Sequence, residues 1–497
     1  MAAFGRLDKE ASCCTAFPTH RDAMHKVLTD YFRCPDIPGD FSVPGGLSEK
    51  PGYFSLGPEI VCYGRASGGV APTPTPSNGH LHDVFGNAQL NGSLNQLPFD
   101  PAEVIDNLRY ERYVSPNGKG YKGRIRRVIR EAYYAARPLL PMGVRKHLQR
   151  VHLKGWQRLS FPKWPIDTTV DILLEKLLAL SIRSAQMKSI PFIWFWPEGA
   201  NACSIMTHDV ETEKGVAFSS SLMAIDREFG IPASFQIVPE ERYHVSQEYL
   251  DSIRQRGFEV NIQDLNHDGH LFKDYKIFEK RVARINEYAT QFNAAGFRSA
   301  VLYRNQAWYD LLEFAYDMSV PNVAHLDPQR GGCCTVMPYF VGKILELPVT
   351  MTQDYSLFYI LKDYSLALWK QQVEVILQKH GLINVIVHPD YLDGNRATKV
   401  YKELLSFLAE LRRNQNVWVT LPGEVNRWWR ERNKMELVCQ NGCWQVEGPG
   451  SERARVAFAS LEGDRLTYTI QQRSETDNSG GRGTYPKRQE CYPRNEI

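Results

Sequence analysis

No apolar run in this 497-residue chain approaches the ~18–20 residues needed to span a bilayer. The N-terminus, MAAFGRLDKEASCC, lacks the charged-then-apolar pattern of a secretory leader. These two absences predict a cytoplasmic protein. An excess of one charge sign is also missing. The formal net charge is +3, too balanced to argue for a nucleic-acid partner. The ten cysteines are scattered, with adjacent pairs at Cys13-Cys14 and Cys333-Cys334. No CxxC is matched by a second CxxC or by an HxxxH, which argues against a structural zinc knuckle. Cys439 and Cys443 make at most a weak pair, and buried free thiols are the plainer reading. No GxGxxG follows the first strand-like run, so a dinucleotide fold has no support.

What is present is a globular composition, 43% hydrophobic and 23% charged. At ~150 residues per domain, such a chain should hold two or three domains. Residues 1–100 read as an irregular N-terminal region, rich in Gly, Pro, Asn and Ser. It has a loop-like APTPTPSNGH at 71–80 and a strand-like island, EIVCYGR, at 59–65. Residues 101–188 read as a basic helical region and connector. From Arg109 to Arg158 there are fourteen Lys/Arg and two acids, interleaved with Tyr110, Tyr113, Tyr121, Tyr133, Tyr134 and Trp156. That pattern suits an anionic membrane surface, or simply a solvated helical face. FPKWPID (161–167) reads as a stiff connector. TTVDILLEKLLALSIRSAQMK (168–188) follows, with apolar residues at 170, 173, 174, 177, 178 and 180, the spacing of an amphipathic helix.

From 190 to 433 strand and helix alternate. Strands are predicted at 192–196, 203–208, 233–238, 258–262, 297–302, 344–349, 383–388 and 416–420. Helices are predicted at 214–229, 246–256, 274–295, 306–316, 363–380 and 397–413, with a last one in WVTLPGEVNRWWRER. This alternation implies an α/β fold with a parallel sheet, most simply a closed or nearly closed (β/α) barrel, the alternative being an open doubly wound sheet. Residues 434–472 alternate apolar and polar around Asn-Gly and Gly-Asp turns and read as a small antiparallel β element. The tail, 473–497, has the composition of a disordered segment.

In a parallel barrel the chemistry sits where the strands end. The second predicted strand leads into Cys203-Ser204-Ile205-Met206-Thr207-His208-Asp209-Val210-Glu211. Asp209 and Glu211 are two apart, so on a strand they share a face. Two acids at the mouth of a sheet suit a metal site or a general base. The strand near 258–262 is followed by Gln263, Asp264, Asn266, His267, Asp268 and His270. The strand after Gly296 carries Arg298, then Tyr303 and Arg304. LINVIV ends in His388-Pro389-Asp390. Carboxylates, histidines and an arginine therefore converge on one rim.

Taken in order, THDVE, the NHDGH loop, GFRS and VIVHPD resemble the polysaccharide deacetylases of the NodB-homology type, carbohydrate esterase family 4. The resemblance covers about 190–430. It implies a distorted (β/α) barrel, a divalent metal, often zinc, and removal of acetyl groups from sugars. Carried over by position, Asp209 would be the base and Arg298 its orienting partner. His388 would be the acid. Glu211, His267 and Gln263 would stand at the metal. Three positions depart from the family pattern. Val210 stands where many members have the metal-binding Asp, Gln263 where the first His of His-x-x-x-His is expected, and Ala300 where Arg-x-Pro has its proline. Gln is a poorer zinc ligand than imidazole. His270 or Asp268 could substitute only with a rearranged loop. Asp327, in AHLDP, is a guess for the fourth motif. Tyr303, Arg304 and Trp308, with Trp369, are candidates for contacting a sugar.

The resemblance thus implies a metal-dependent hydrolase that removes an N-acyl group from a sugar or glycan intermediate. The competing reading is a glycan-binding or scaffold protein in a polysaccharide assembly pathway, without turnover. Gln263→His should raise metal affinity.

Overall fold

The structure is a computed structural model that describes residues 20–35, 40–58, 60–67, 72–76, 81–84, 89–91, 94–114, 147–148, 150–151, 153–392 and 394–471. Most of the basic stretch, at 115–146, and the 473–497 tail lie outside the described residues. Among the described residues, no helix is long and apolar enough to cross a membrane.

Apolar, β-branched runs bounded by helices form a curled sheet of nine strands. Its centre is Ala202–Val210, buried at every position. Leu382–Val387 pairs with it in parallel on one side. On the other side Val417–Thr420 takes its first half and Ala233–Ile237 its second half. The sheet continues in parallel through Glu259–Gln263, Gly296–Arg298, Tyr316–Asp317 and Ile344–Glu346, and ends on the antiparallel Tyr339–Val341. The two ends of the curl meet through hydrogen bonds rather than a ladder. Thr350 Oγ1 donates to Leu382 O (2.7 Å) and accepts from Asn384 N (2.9 Å). Met351 N donates to Asn384 O (3.2 Å), and Asn384 Nδ2 donates to Leu347 O (3.0 Å). The result is a distorted (β/α) barrel, as the resemblance implies, rather than the open doubly wound sheet.

Helices Glu213–Glu228, Gln247–Gln255, Tyr275–Gln291, Ala367–Leu377 and Asn395–Asn414 pack outside the sheet. Along the central strand Ala202, Met206 and Val210 join the core shared with these helices, while Cys203 and Ile205 join a second core. That second core also takes Val170, Leu173, Leu174, Leu177 and Leu178 from helix Thr169–Ser184 and residues from the N-terminal region.

The run predicted at 192–196 forms Ser189–Ile193, but not in the barrel. It pairs antiparallel with Val456–Glu462, which pairs with Arg465–Ile470. The C-terminal strands therefore brace the chain just before the central strand. The Asn441-Gly442 turn joins Glu436–Gln440 to Cys443–Glu447 with both turn residues at positive φ (52° and 83°), as a tight hairpin requires. Cys443 keeps a free thiol, so it does not pair with Cys439. The helix predicted at 306–316 is shorter, a 3₁₀ segment at Gln306–Leu311.

Candidate active site

Period-two alternation turns Thr207 and Asp209 to the side opposite His208. Asp209 Oδ1 accepts from Arg298 Nη1 at 3.1 Å, and Arg298 Nη2 donates to Thr207 Oγ1 at 3.1 Å. Asp209 Oδ2 accepts from Gln263 Nε2 at 3.1 Å. This convergence follows from register. Arg298 and Gln263 are direct partners at the ends of adjacent parallel strands, so both side chains reach the same carboxylate. The Arg298 side chain is 0% exposed and that of Asp209 5%. Each charge is buried and compensated by the other.

Glu211 lies past the strand end. Its Oε1 is 2.9 Å from His267 Nε2 and 3.6 Å from His388 Nε2. Burial works to raise the Glu211 carboxyl, but His267 and His388 outweigh it and hold the group well below the usual carboxylate range. Asp390 fixes the backbone here. It accepts from Glu211 N (3.1 Å) and from the Thr212 hydroxyl.

His388 follows Leu382–Val387. Its Nδ1 is 2.6 Å from Asp354 Oδ1, and its backbone N–H donates to Asp354 Oδ2 at 2.8 Å. Burial works to lower the imidazole, yet Asp354 first and Glu211 second raise it well above the ordinary histidine value. Asp354 and Glu211 thus favour the protonated ring, whose Nε2 faces Glu211. Asp354 is the residue that the sequence reading missed. Asp327, the guess for that motif, instead accepts from Gln353 Nε2 (2.9 Å), and burial raises it to about 6.

The loop after Glu259–Gln263 carries His267 at φ 54° and Asp264 at φ 54°, left-handed conformations that a non-glycine residue holds at a cost of order 1–3 kcal/mol. Arg242, also missed in the sequence, pins this loop. Its Nε donates to Asn266 O (3.1 Å) and its Nη2 to His267 O (2.6 Å) and His267 Nδ1 (3.3 Å). Asp268 does not substitute as a metal ligand. Both its oxygens are engaged by Arg281 at 2.7 Å, and its carboxyl sits at about 2, Arg281 outweighing the burial that would raise it. His270 stands beside the same carboxylate, 3.3 Å away.

The metal implied by the motifs meets a poor donor set. Among the described residues, no group of three or more His, Cys, Asp or Glu side chains could hold a metal ion. Glu211 and His267 meet each other, and the third position is an amide whose NH₂ is spent on Asp209. Gln263 Oε1 is buried with no hydrogen-bond partner. One carboxylate, one imidazole and a neutral amide oxygen do not make the N/S-rich tetrahedral set that zinc takes.

The predicted sugar contacts fare unevenly. Arg304 does not present a free guanidinium. It is buried and paired with Glu111, Nε to Oε2 at 2.7 Å, and donates to Leu302 O at 2.8 Å. Trp308 stacks on Phe272 (6.1 Å, 22°) and packs against Phe278 and Tyr275. Trp369 is core, its Nε1 donating to Thr352 O. Tyr303 is half-buried beside Arg304. The aromatic side chains that adjoin the acid are different ones. The Tyr391 ring is 4.9 Å from His388, with Tyr355 (5.4 Å) and Tyr359 (5.3 Å) against it. All three are half-buried, and the last sits in a π-helix, Ser356–Leu361, a form frequent at functional sites. In the basic stretch, Tyr110 and Tyr113 face inward, donating to Phe340 O and Gly332 O.

No protein-family model matches this chain, and no curated protein matches it. Solved structures do. One, described as a polysaccharide deacetylase from Mycobacterium smegmatis, is 20% identical, with a TM-score of 0.39 over 48% of this chain and 93% of that one. PuuE allantoinase is 13% identical, with a TM-score of 0.38 over 47% and 93%. The peptidoglycan deacetylase PdaC from Bacillus subtilis is 11% identical, with a TM-score of 0.31 over 47% and 95%.

Proposed function

We propose that this chain is a deacetylase-like hydrolase that removes an acetyl or other N-acyl group from a sugar or glycan intermediate. One observation supports the reading most directly. A carboxylate held by a guanidinium (Asp209 with Arg298) and an imidazolium held by a carboxylate (His388 with Asp354) stand at the ends of neighbouring strands, with Glu211 beside them. A base and an acid at one strand-end rim are what amide hydrolysis needs.

In this reading Asp209 takes a proton from water as its oxygen attacks the acyl carbon. The C–O bond forms and the carbonyl electron pair moves onto oxygen. When that pair returns, the C–N bond breaks and His388 delivers its Nε2 proton to the nitrogen. The products are a carboxylic acid and a free amine, and the proton taken up by Asp209 is released to solvent as His388 takes one back, which resets the pair. Asp354 keeps the His388 ring oriented by holding Nδ1–H. The half-buried faces of Tyr391, Tyr355 and Tyr359 offer a wall for a sugar ring. Because the donor set does not fit zinc, no step is routed through a metal.

The second reading, glycan binding without turnover, is favoured by Gln263 at a ligand position. The test is acetate release from N-acetylated oligosaccharides by wild type, Asp209→Asn and His388→Ala. Release by wild type, lost in both variants, is expected. Oligosaccharide binding with no release in any of them would overturn the hydrolase reading in favour of binding.

A further inference from the structure

We propose that this centre holds no resident divalent cation and that Gln263 is the side chain that decides it. The proposal deepens the reading above and rests on it for the location of the site, not for turnover. Three observations carry it.

The first is the amide. Gln263 Nε2 donates to Asp209 Oδ2 at 3.1 Å. An imidazole in its place would offer a lone pair to a cation, but an amide nitrogen has none to give. The second is the orientation of His267. A metal-binding imidazole donates its outer N–H to an acceptor and turns its bare nitrogen to the ion. Here the outer nitrogen, Nδ1, faces Arg242 Nη2 at 3.3 Å, and a guanidinium can only donate. The ring's Nε2 lies 2.9 Å from Glu211 Oε1 without making a hydrogen bond. The outer nitrogen thus meets a guanidinium where a metal-binding imidazole meets an acceptor. The third is Glu211 itself. Its Oε1 is already approached by two imidazole nitrogens, His267 Nε2 at 2.9 Å and His388 Nε2 at 3.6 Å. Asp390 holds the Glu211 backbone in that place.

Gln263→His would put an imidazole at the end of the strand that leads into the His267 loop, in place of the amide now bound to Asp209.

The experiment uses the full-length protein, purified without added metal. Elemental mass spectrometry and calorimetric zinc titration are run on wild type, Gln263→His, Glu211→Ala and the Gln263→His/Glu211→Ala double variant. The expected result is less than ~0.1 equivalent of metal in wild type and no zinc isotherm lost with Glu211. Gln263→His should gain about one equivalent, removed again in the double variant. Near-stoichiometric metal in wild type that disappears in Glu211→Ala would overturn the proposal. Failure of Gln263→His to gain metal would overturn the assignment to Gln263. Acetate release is scored separately on the same samples. No metal and no release would defeat the hydrolase reading and leave this one standing. Metal with release would do the opposite.

Discussion

Replacing Arg298 with Met tests whether Asp209 is a buried, paired carboxylate. The Arg298 side chain is wholly buried and Asp209 nearly so, at 0% and 5% exposure. Removing the guanidinium leaves the carboxylate with the Gln263 amide as its remaining polar partner. Breaking a buried pair from one side costs about 3–5 kcal/mol. The lost contact to Thr207 adds little, because the Thr207 hydroxyl still donates to Val385 O at 2.8 Å. Asp209→Asn should cost a similar amount, since it strands the Arg298 cation. The double variant removes both charges and should lose far less than the sum, giving a coupling energy of several kcal/mol. Urea denaturation followed by tryptophan fluorescence reads each value from the midpoint and slope. Additive single losses, each under about 1 kcal/mol, would refute the reasoning. They would mean that water screens the pair, and Asp209 would lose its claim to be an oriented, ionised base.

Other expectations follow from the same geometry. Asp354→Asn removes the carboxylate that raises His388, so the His388 ring resonances in NMR should titrate at lower pH, and acetate release should fall by about 10²–10⁴; an unchanged titration would dissociate the two residues. In wild type, His388 has a raised folded pKa, so its stabilisation is fully present below about pH 6.5 and is lost as pH rises through the higher folded value. Glu211 behaves oppositely, its contribution being present above about pH 4.3 and lost as pH falls through its depressed folded value. Urea midpoints across pH for wild type, Glu211→Gln and His388→Gln should separate the two limbs. Gly215→Ala would place a Cβ 2.4 Å from Asp390 Oδ2, displacing the group that fixes Glu211; we expect a loss of about 1–3 kcal/mol in thermal or urea unfolding and lower activity. Tyr359→Ala should raise KM for an oligosaccharide more than it lowers kcat, whereas Trp308→Ala, which truncates packing against Phe272 and Phe278, should act on stability instead.

The sequence by itself determined a parallel α/β sheet flanked by helices, and left the barrel and the open doubly wound sheet as alternatives. Long apolar runs such as LINVIV, alternating with amphipathic stretches, leave few arrangements that bury every strand on both faces. It also marked Asp209 and Glu211 at a strand end, but alternation did not place Glu211, which lies past the end of Ala202–Val210. The strands at Tyr316–Asp317 and Tyr339–Val341 were not legible, since two or three residues carry no period. Tertiary structure alone decided the partners. Arg298 and Gln263 meet Asp209 because strand register makes them neighbours, and register is set by contacts between segments distant in sequence. Asp354 orients His388 from 34 residues away, out of a segment with no strand or helix period to mark it. Arg304 reads in sequence as a free cation beside the site, yet the fold buries it against Glu111, 193 residues earlier. The same holds for His267: the histidine is visible in the sequence, but the Arg242 guanidinium 3.3 Å from its Nδ1 comes from a different loop. Local pattern fixes the direction a side chain takes from its own strand; what it meets there depends on the long-range packing that brings the other strands alongside.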